Sequence, residues 1–390
     1  MIVRRRAVPA LLAAAALLLA AGCSGSGSGA PAGAASSPAG MSSPASPSGS
    51  ATAEATAPAK GTVKVLRTVA TGLDTPWGLA PLPDGGSLLV ASRDRATITL
   101  VDARTGRKTL LGEVPGVSPQ GEGGLLGIAL SPDYASDRMI YAYFTSASDN
   151  RIVRMLYDPK KPAGEQLGAP DTVFKGIPKG FIHNGGRIAF GPDGMLYVGT
   201  GESGQRGLSR DKESLGGKIL RLTPEGEPAP GNPFPDSPVY SYGHRNVQGL
   251  AWDDKQRLFA SEFGQDTWDE LNAIAPGGDY GWPEAEGRSD DPGFRDPLVQ
   301  WHTDDASPSG IAVAEGSVWM AGLKGKRLWR IPLKGTEASA EPQAFLTGEY
   351  GRLRTVVAAG GGKLWVTTSN TDGRGDPKDG DDRVLELQVS

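Results

Sequence analysis

The sequence predicts an all-β fold, a six-bladed β-propeller, and three observations carry that expectation. Glycine at 56 residues and proline at 31 in a chain of 390 supplies many turns, and tracts with helical periodicity are scarce. Short apolar runs such as "SLLVAS", "MIYAYF", "MLYVGTG", "RLFASEF", "SVWMAG" and "KLWVTTS" are rich in β-branched or aromatic residues and bounded by Gly, Asp or Pro, the pattern of strands. These runs recur inside a larger phrase. "PWGLAPLPDGGSLLVAS", "LLGIALSPDYASDRMIYAYF", "GRIAFGPDGMLYVGTG", "VQGLAWDDKQRLFASEF", "SGIAVAEGSVWMAG" and "RTVVAAGGGKLWVTTS" share one layout: a small apolar strand, a turn, then a stronger strand. A repeat of roughly 45 to 60 residues built only from strands means that each unit is a sheet unable to bury both faces alone. Six such units close radially. Strands of a β-sandwich, the alternative, have no reason to echo one another at fixed spacing.

Taken in chain order, the first elements lie outside the propeller. "MIVRRR" is a basic stretch, "LLAAAALLLA" an apolar one, and "LAAGC" sets the chain's one cysteine, Cys23, directly after small residues. This is the layout of a lipoprotein signal peptide over residues 1–23, with Cys23 as the lipid anchor to the membrane. The apolar run falls short of the ~20 residues that a spanning helix needs. Residues 24–60 are Ser, Gly, Ala and Pro with almost no large apolar side chain, so they cannot offset their ordering entropy and read as a disordered tether. Residues 61–390 then form the propeller, held at the extracytoplasmic side of the cell membrane. With one cysteine, an internal disulfide and thiolate zinc sites are excluded. The formal net charge of −4, with both signs mixed throughout, gives no basic footprint for nucleic acid. Nothing in the pattern sets the oligomeric state.

Loops from different blades converge at one end of a propeller's channel, so residues that open the repeat phrases are the candidates for chemistry. His183, one of three histidines, opens the third phrase in "HNGGR". It reads either as a turn residue bonded to backbone or as a base, since neutral imidazole accepts a hydroxyl proton near neutral pH. The glycines at 185 and 186 remove side chains that would shield it. Arg245 and Asn246 of "YGHRNVQGLAW" occupy the equivalent position of the next blade, where a guanidinium fork suits a carboxylate or quinone oxygen. Lys324 lies just after a strand in "AGLKGK". Arg352 and Arg354 open the last blade in "GRLRTVV", and residues two apart on a strand share a face. Such cations converging with a histidine imply a multiply anionic ligand. The oxygen-rich stretch "EFGQDTWDELN" followed by "GGDYGWP" suits Ca²⁺ or is an acidic solvated loop.

The markers "PWGLA", "GEGGLLGIALSPDY", "HNGGRIAFGPDGMLYVGTGE", "GGKILRL", "GHRNVQGLAW", "DELN", "DYGWP", "SPSGIAV", "GLKGK" and "RLRTV" fall in one order from about Val69 to Val389. In these the chain resembles the soluble pyrroloquinoline quinone (PQQ)-dependent glucose/aldose sugar dehydrogenases, which are six-bladed propellers. The resemblance implies oxidation of an aldose at its anomeric carbon to the lactone, with electrons passed to an external acceptor. It makes His183 the general base and sends hydride to the quinone C5, the cofactor supplying the redox chemistry. It places Arg245, Asn246, Lys324, Arg352 and Arg354 on the carboxylates and quinone oxygens, and Trp301 at the site mouth. It puts a structural Ca²⁺ on Glu270 and on Tyr280 through its carbonyl, and a second Ca²⁺ on the quinone as Lewis acid. Two departures touch the cofactor. Glu122 stands in "GEGGL" where family members often have Gln, and unless it pairs with a cation or is protonated its charge weakens quinone binding. The stretch "EAEGRSDDPGF" after "YGWP" lacks the tyrosine that aldose-type members carry there.

Overall fold

Each repeated phrase folds as the two inner strands of one antiparallel sheet. The computed structural model describes residues 54–390. The inner strands are Pro76–Pro81, Leu125–Leu130, Ile188–Phe190, Val247–Trp252, Pro308–Ala314 and Leu353–Gly360. Each pairs with the run that follows it in sequence, two more strands complete each blade, and the fifth blade adds the short pair Glu337–Ala338. Six blades result, as the repeat predicts.

The glycine that recurs in "PWGLA", "LLGIA", "VQGLA" and "PSGIA" explains how the ring closes. A Cβ on Gly78 would lie 2.7 Å from the Leu126 carbonyl oxygen, on Gly127 2.2 Å from that of Gly186, on Gly249 2.4 Å from that of Ser309, and on Gly310 2.8 Å from Thr355 Cα. No side chain fits at these four contacts between neighbouring inner strands, so bare backbone sets the radius of the channel there. Outward from that ring, apolar clusters fill the wedge between consecutive blades. Leu89, Ile98 and Leu111 of blade 1 meet Leu125, Ile140 and Val153 of blade 2, for example, all buried. Each such side chain contributes about 1.5–3 kcal/mol by leaving water.

The circle is fastened by the two ends of the chain. Val63–Ala70 pairs with Val389 through Val384 as the outermost strand of the sixth blade, and Arg67 Nε donates to Glu386 Oε2 at 2.7 Å across that pairing.

One boundary differs from the sequence expectation. Residues 54–60, assigned to the disordered tether, lie against blade 5. Ala57 N donates to the Leu333 carbonyl at 2.9 Å, Arg330 donates to the Pro58 carbonyl at 2.9 Å, and Glu54 pairs with Arg257. The stabilisation comes from the backbone and Arg330 side chain of the strand Arg327–Lys334 and from Arg257, distant partners that composition does not reveal. The signal sequence, Cys23 and the remainder of the tether lie outside the described residues.

Candidate active site

In an antiparallel sheet the second strand runs back toward the start of the first. Residues that open the inner strands therefore meet residues just past the second strands at one end of the channel. There they enclose a cavity of about 240 Å³. Trp77, His183, Arg245, Asn246, Arg352 and Arg354 reach it from strand starts, and Arg93, Lys324 and Asp372 from second-strand ends. Glu122 joins them from the loop between blades 1 and 2. Seven of the sequence-derived candidates thus line one wall-to-wall site: Glu122, His183, Arg245, Asn246, Lys324, Arg352 and Arg354.

His183 is fixed by two carboxylates. Its ring Nδ1 hydrogen-bonds the buried Glu202 carboxylate, and its backbone N–H donates to Glu122 Oε2 at 2.9 Å. Since a carboxylate only accepts, Nδ1 carries the hydrogen and the Nε2 lone pair is available as a base. Glu202 Oε1 also accepts from Gly204 N at 3.1 Å, which orients the carboxylate; its Oε2 has no protein partner. The turn is unusual for a non-glycine residue, His183 having φ 55°. Gly185 and Gly186 follow for packing rather than to expose the histidine: a Cβ on Gly185 would lie 2.5 Å from the Gly199 carbonyl oxygen, and one on Gly186 2.6 Å from Leu126 Cδ1.

The cations are held by specific partners. Arg352 and Arg354 share Asp372 Oδ2 at 3.0 and 3.2 Å, as their two-residue spacing on one strand face predicts. Burial pulls Arg354 down to about 10 against the opposing pull of Asp372. Arg245 is lowered by burial, with Glu202 and Glu262 opposing, and its guanidinium lies 5.4 Å from the Trp282 ring. Asn246 gives its amide oxygen to Gly185 N at 2.9 Å, tying blade 4 to the His183 turn. Lys324 stands at the mouth, paired with the exposed Asp304. In all, six cationic side chains (Arg93, Arg245, Lys324, Arg352, Arg354, Arg374) face three carboxylates (Glu122, Asp269, Asp372) around the cavity. Asp269 is itself pushed up to about 7 by burial. Such a lining suits a ligand with several carboxylates, and a quinone tricarboxylate fits its charge.

The charge expected to oppose that ligand is offset. Glu122 Oε1 accepts from Arg374 Nη2 at 2.8 Å, so the carboxylate is paired while its other oxygen holds His183. The stretch without the tyrosine has a use of its own. Glu286 Oε1 accepts the backbone N–H of Gln265, Asp266, Thr267 and Trp268 at 2.7, 2.9, 2.9 and 3.0 Å, fixing the loop whose Gly264 and Gln265 line the cavity.

Trp301 is a correction. It is buried in the apolar cluster between blades 4 and 5, its ring centroid 5.6 Å from that of Trp329, and it is not among the cavity residues. It belongs to the outermost strand of blade 4, Val299–His302, where it stands opposite the cavity residue Asp269, but its ring packs into the apolar cluster instead of the cavity.

Glu270 and Tyr280 lie outside the cavity, within blade 4. Glu270 stands directly opposite Glu262 across the sheet, accepts from Gly287 N at 2.7 Å and Asn272 Nδ2 at 3.0 Å, and is pushed up to about 8 by burial and then by Glu262. Asn272 Oδ1 is buried without a partner. The Tyr280 hydroxyl is engaged by Ala273 O at 2.8 Å and Ala275 N at 2.9 Å, which leaves its carbonyl as the group for a metal. Among the described residues no cluster of three or more His, Cys, Asp or Glu forms a metal site. Two adjacent carboxylates and an orphaned amide oxygen nonetheless fit a hard cation that takes carbonyl ligands.

Sequence reasoning missed Glu202, Asp372, Arg93 and Arg374. The signal was present: Arg93, Glu202, Lys324 and Asp372 each fall within four residues after the second strand of a blade. Of these four, Lys324 alone is recognisable from the sequence by that position.

Comparison with known proteins agrees with this fold. The sequence model of the glucose/sorbosone dehydrogenase family matches residues 73–375. The chain is similar to the aldose sugar dehydrogenase YliI of Escherichia coli, 31% identical over 332 residues that span 77% of this chain and 89% of that protein. The solved PQQ-bound form of the aldose sugar dehydrogenase from Streptomyces coelicolor is 83% identical, covers 86% of this chain and 100% of its own, and superposes with a TM-score of 0.85. The apo-form of the soluble aldose sugar dehydrogenase from Escherichia coli superposes with a TM-score of 0.73 at 28% identity, covering 85% of this chain and 99% of its own. With the six-bladed ring and a family match over residues 73–375, the chain belongs to the glucose/sorbosone dehydrogenase family.

Proposed function

We propose that this protein is a PQQ-dependent aldose dehydrogenase that oxidises the anomeric carbon of a sugar to its lactone and passes the electrons to an external acceptor. The observation that carries it is the His183–Glu202 pair opening onto a cavity walled by six cations. Arg245, Asn246, Lys324, Arg352 and Arg354 hold the cofactor's carboxylate and quinone oxygens, and their pairing to Asp372, Gly264 and Asp304 keeps them in place. When bound, the quinone supplies the two-electron acceptor for hydride. His183 Nε2 takes the anomeric hydroxyl proton as the C1–H bond breaks, so the sugar loses one proton and one hydride and becomes the lactone. Glu202 holds the ring in the correct tautomer and stabilises the imidazolium that forms. Asn246, through Gly185, fixes the turn that aims the imidazole.

Glu270, the Tyr280 carbonyl and Asn272 would hold a structural Ca²⁺, where a cation would offset the repulsion between Glu270 and Glu262. A second Ca²⁺ bound with the quinone would supply Lewis-acid chemistry. The layout of residues 1–23 supports an extracytoplasmic protein anchored through lipid at Cys23.

The test is a titration of the protein lacking residues 1–23 with PQQ and Ca²⁺, following quinone absorbance, then addition of a panel of aldoses. Binding followed by bleaching with sugar is the expected result. If no quinone binds, the site serves another anion and the protein is a binding propeller rather than an enzyme.

A further inference from the structure

Beneath the cavity lies a cation that the proposed reaction does not use. Arg187 follows the His183 turn, is buried, and spans the channel. Its Nε donates to the Gln248 carbonyl of blade 4 at 2.7 Å, its Nη2 to Thr355 Oγ1 of blade 6 at 3.1 Å, and its guanidinium lies 4.4 Å from the Trp77 ring of blade 1. None of these partners is an anion. Arg354 lies over the same ring at 5.7 Å, so two guanidinium groups share one indole. Arg354 has Asp372 as counter-ion, whereas no carboxylate pairs with Arg187 among the described residues.

An unpaired buried charge is costly, and a neutral side chain of similar volume would close the channel without that cost. Burial and the charge of Arg354 pull Arg187 down to about 9, which still leaves it protonated near neutral pH. What lies above it accounts for the charge. Trp77, Gln248 and Arg354 all line the cavity, so Arg187 sits one layer under its floor. A charge there acts on an anion through protein rather than water, where screening is weak.

We infer that Arg187 is an electrostatic positioning residue for the anionic quinone, a second-layer cation whose cost in the empty protein is offset when the carboxylates enter the cavity above it. The inference rests on the quinone reading of the site. It makes "HNGGR" a single device: His183 supplies the base, Gly185 and Gly186 let the turn pack, and Arg187 supplies field from below. The other end of the channel is an apolar funnel of about 450 Å³, walled by residues such as Leu79, Ile128, Leu250 and Ile311, with Arg187 in its lining. An anionic amphiphile in that funnel is the competing use of the charge.

The experiment compares the full-length protein in detergent with its Arg187→Met, Arg187→Gln and Arg187→Lys variants. Melting temperature without cofactor, affinity for PQQ, affinity for the PQQ trimethyl ester and melting shift with decanoate are measured for each. The neutral variants are expected to melt no lower than wild type without cofactor and to bind PQQ weaker by on the order of ten-fold. They should bind the ester as wild type does, and Arg187→Lys should recover most of the PQQ affinity. Lower melting with unchanged PQQ affinity would make Arg187 a structural plug, and equal losses for PQQ and ester would assign the effect to packing. Stabilisation of wild type by decanoate, abolished in the neutral variants while PQQ affinity is kept, would move the charge's role to the funnel. If wild type itself binds no PQQ, the quinone reading fails first. Should one neutral variant not fold, the other gives the same comparison.

Discussion

Glu122 and Arg374, 252 positions apart, join across the cavity mouth through a 2.8 Å ion pair. The same glutamate holds the His183 backbone, and Arg374 N donates to Asp372 Oδ1 at 2.9 Å, whose other oxygen takes Arg352 and Arg354. The base on blade 3 is thereby linked to the clamp on blade 6. Arg374 is 61% exposed, so the pair itself contributes about 0–1 kcal/mol. Losing the acceptor of the His183 N–H costs more, about 1–3 kcal/mol. Glu122→Ala is therefore expected to lower kcat roughly ten-fold or more, and Arg374→Met much less. Glu122→Gln should leave quinone affinity nearly unchanged, because the charge it frees on Arg374 is exposed and screened by water. Marked tightening in a quinone titration would show that Arg374 fails to offset the Glu122 charge.

His183→Ala should lower kcat by roughly 10² or more with PQQ affinity nearly intact, since removing a general base acts on the chemical step. Glu202→Gln keeps the volume but withdraws the charge that stabilises the imidazolium, so a smaller loss of about ten-fold is expected. Steady-state kinetics with one aldose decide both. Unchanged turnover in His183→Ala would remove it from the base role.

Ca²⁺ should stabilise the protein more at alkaline pH. Glu270 is pushed up to about 8 from its ordinary 4.5 by burial and by Glu262, so between those values the folded chain without metal holds a proton that the unfolded chain has released. Stability then falls as pH rises through this window, by linkage. Ca²⁺ binds the deprotonated carboxylate and should cancel the fall. Melting curves at pH 6 and 8.5, with Ca²⁺ and with chelator, measure it, and Glu270→Gln should abolish the metal-dependent difference. Equal Ca²⁺ shifts at both pH values would contradict the assignment.

Trp301→Ala should cost about 3–5 kcal/mol of stability, the usual range for emptying an aromatic from a core. Quinone affinity of the folded fraction should match wild type. A selective loss of quinone binding at unchanged melting temperature would return Trp301 to the site.

Much of this was legible in the chain because a propeller repeats its phase. The glycine recurring in four of the phrases marks where inner strands touch, and residues opening those strands must face the channel. His183, Arg245, Asn246, Arg352 and Arg354 followed from that phase, and Lys324 from its place after a strand. Trp301 did not, because aromatic character alone cannot tell an outer strand from a mouth. Ala57 and Pro58 read as tether because their hydrogen bonds go to a strand about 270 residues onward, as with Pro58 and Arg330.

By itself the sequence determined the all-β class, the six repeats and the cationic, histidine-bearing character of one channel end, all properties of local pattern and period. Only the tertiary structure decided the partners. Glu202 was set against His183, Arg374 against Glu122, Asp372 between two arginines, and Arg187 beneath the floor without a counter-ion. Ring closure brings distant blades within hydrogen-bond reach, and charge pairing is a matter of distance in space, which no local pattern records.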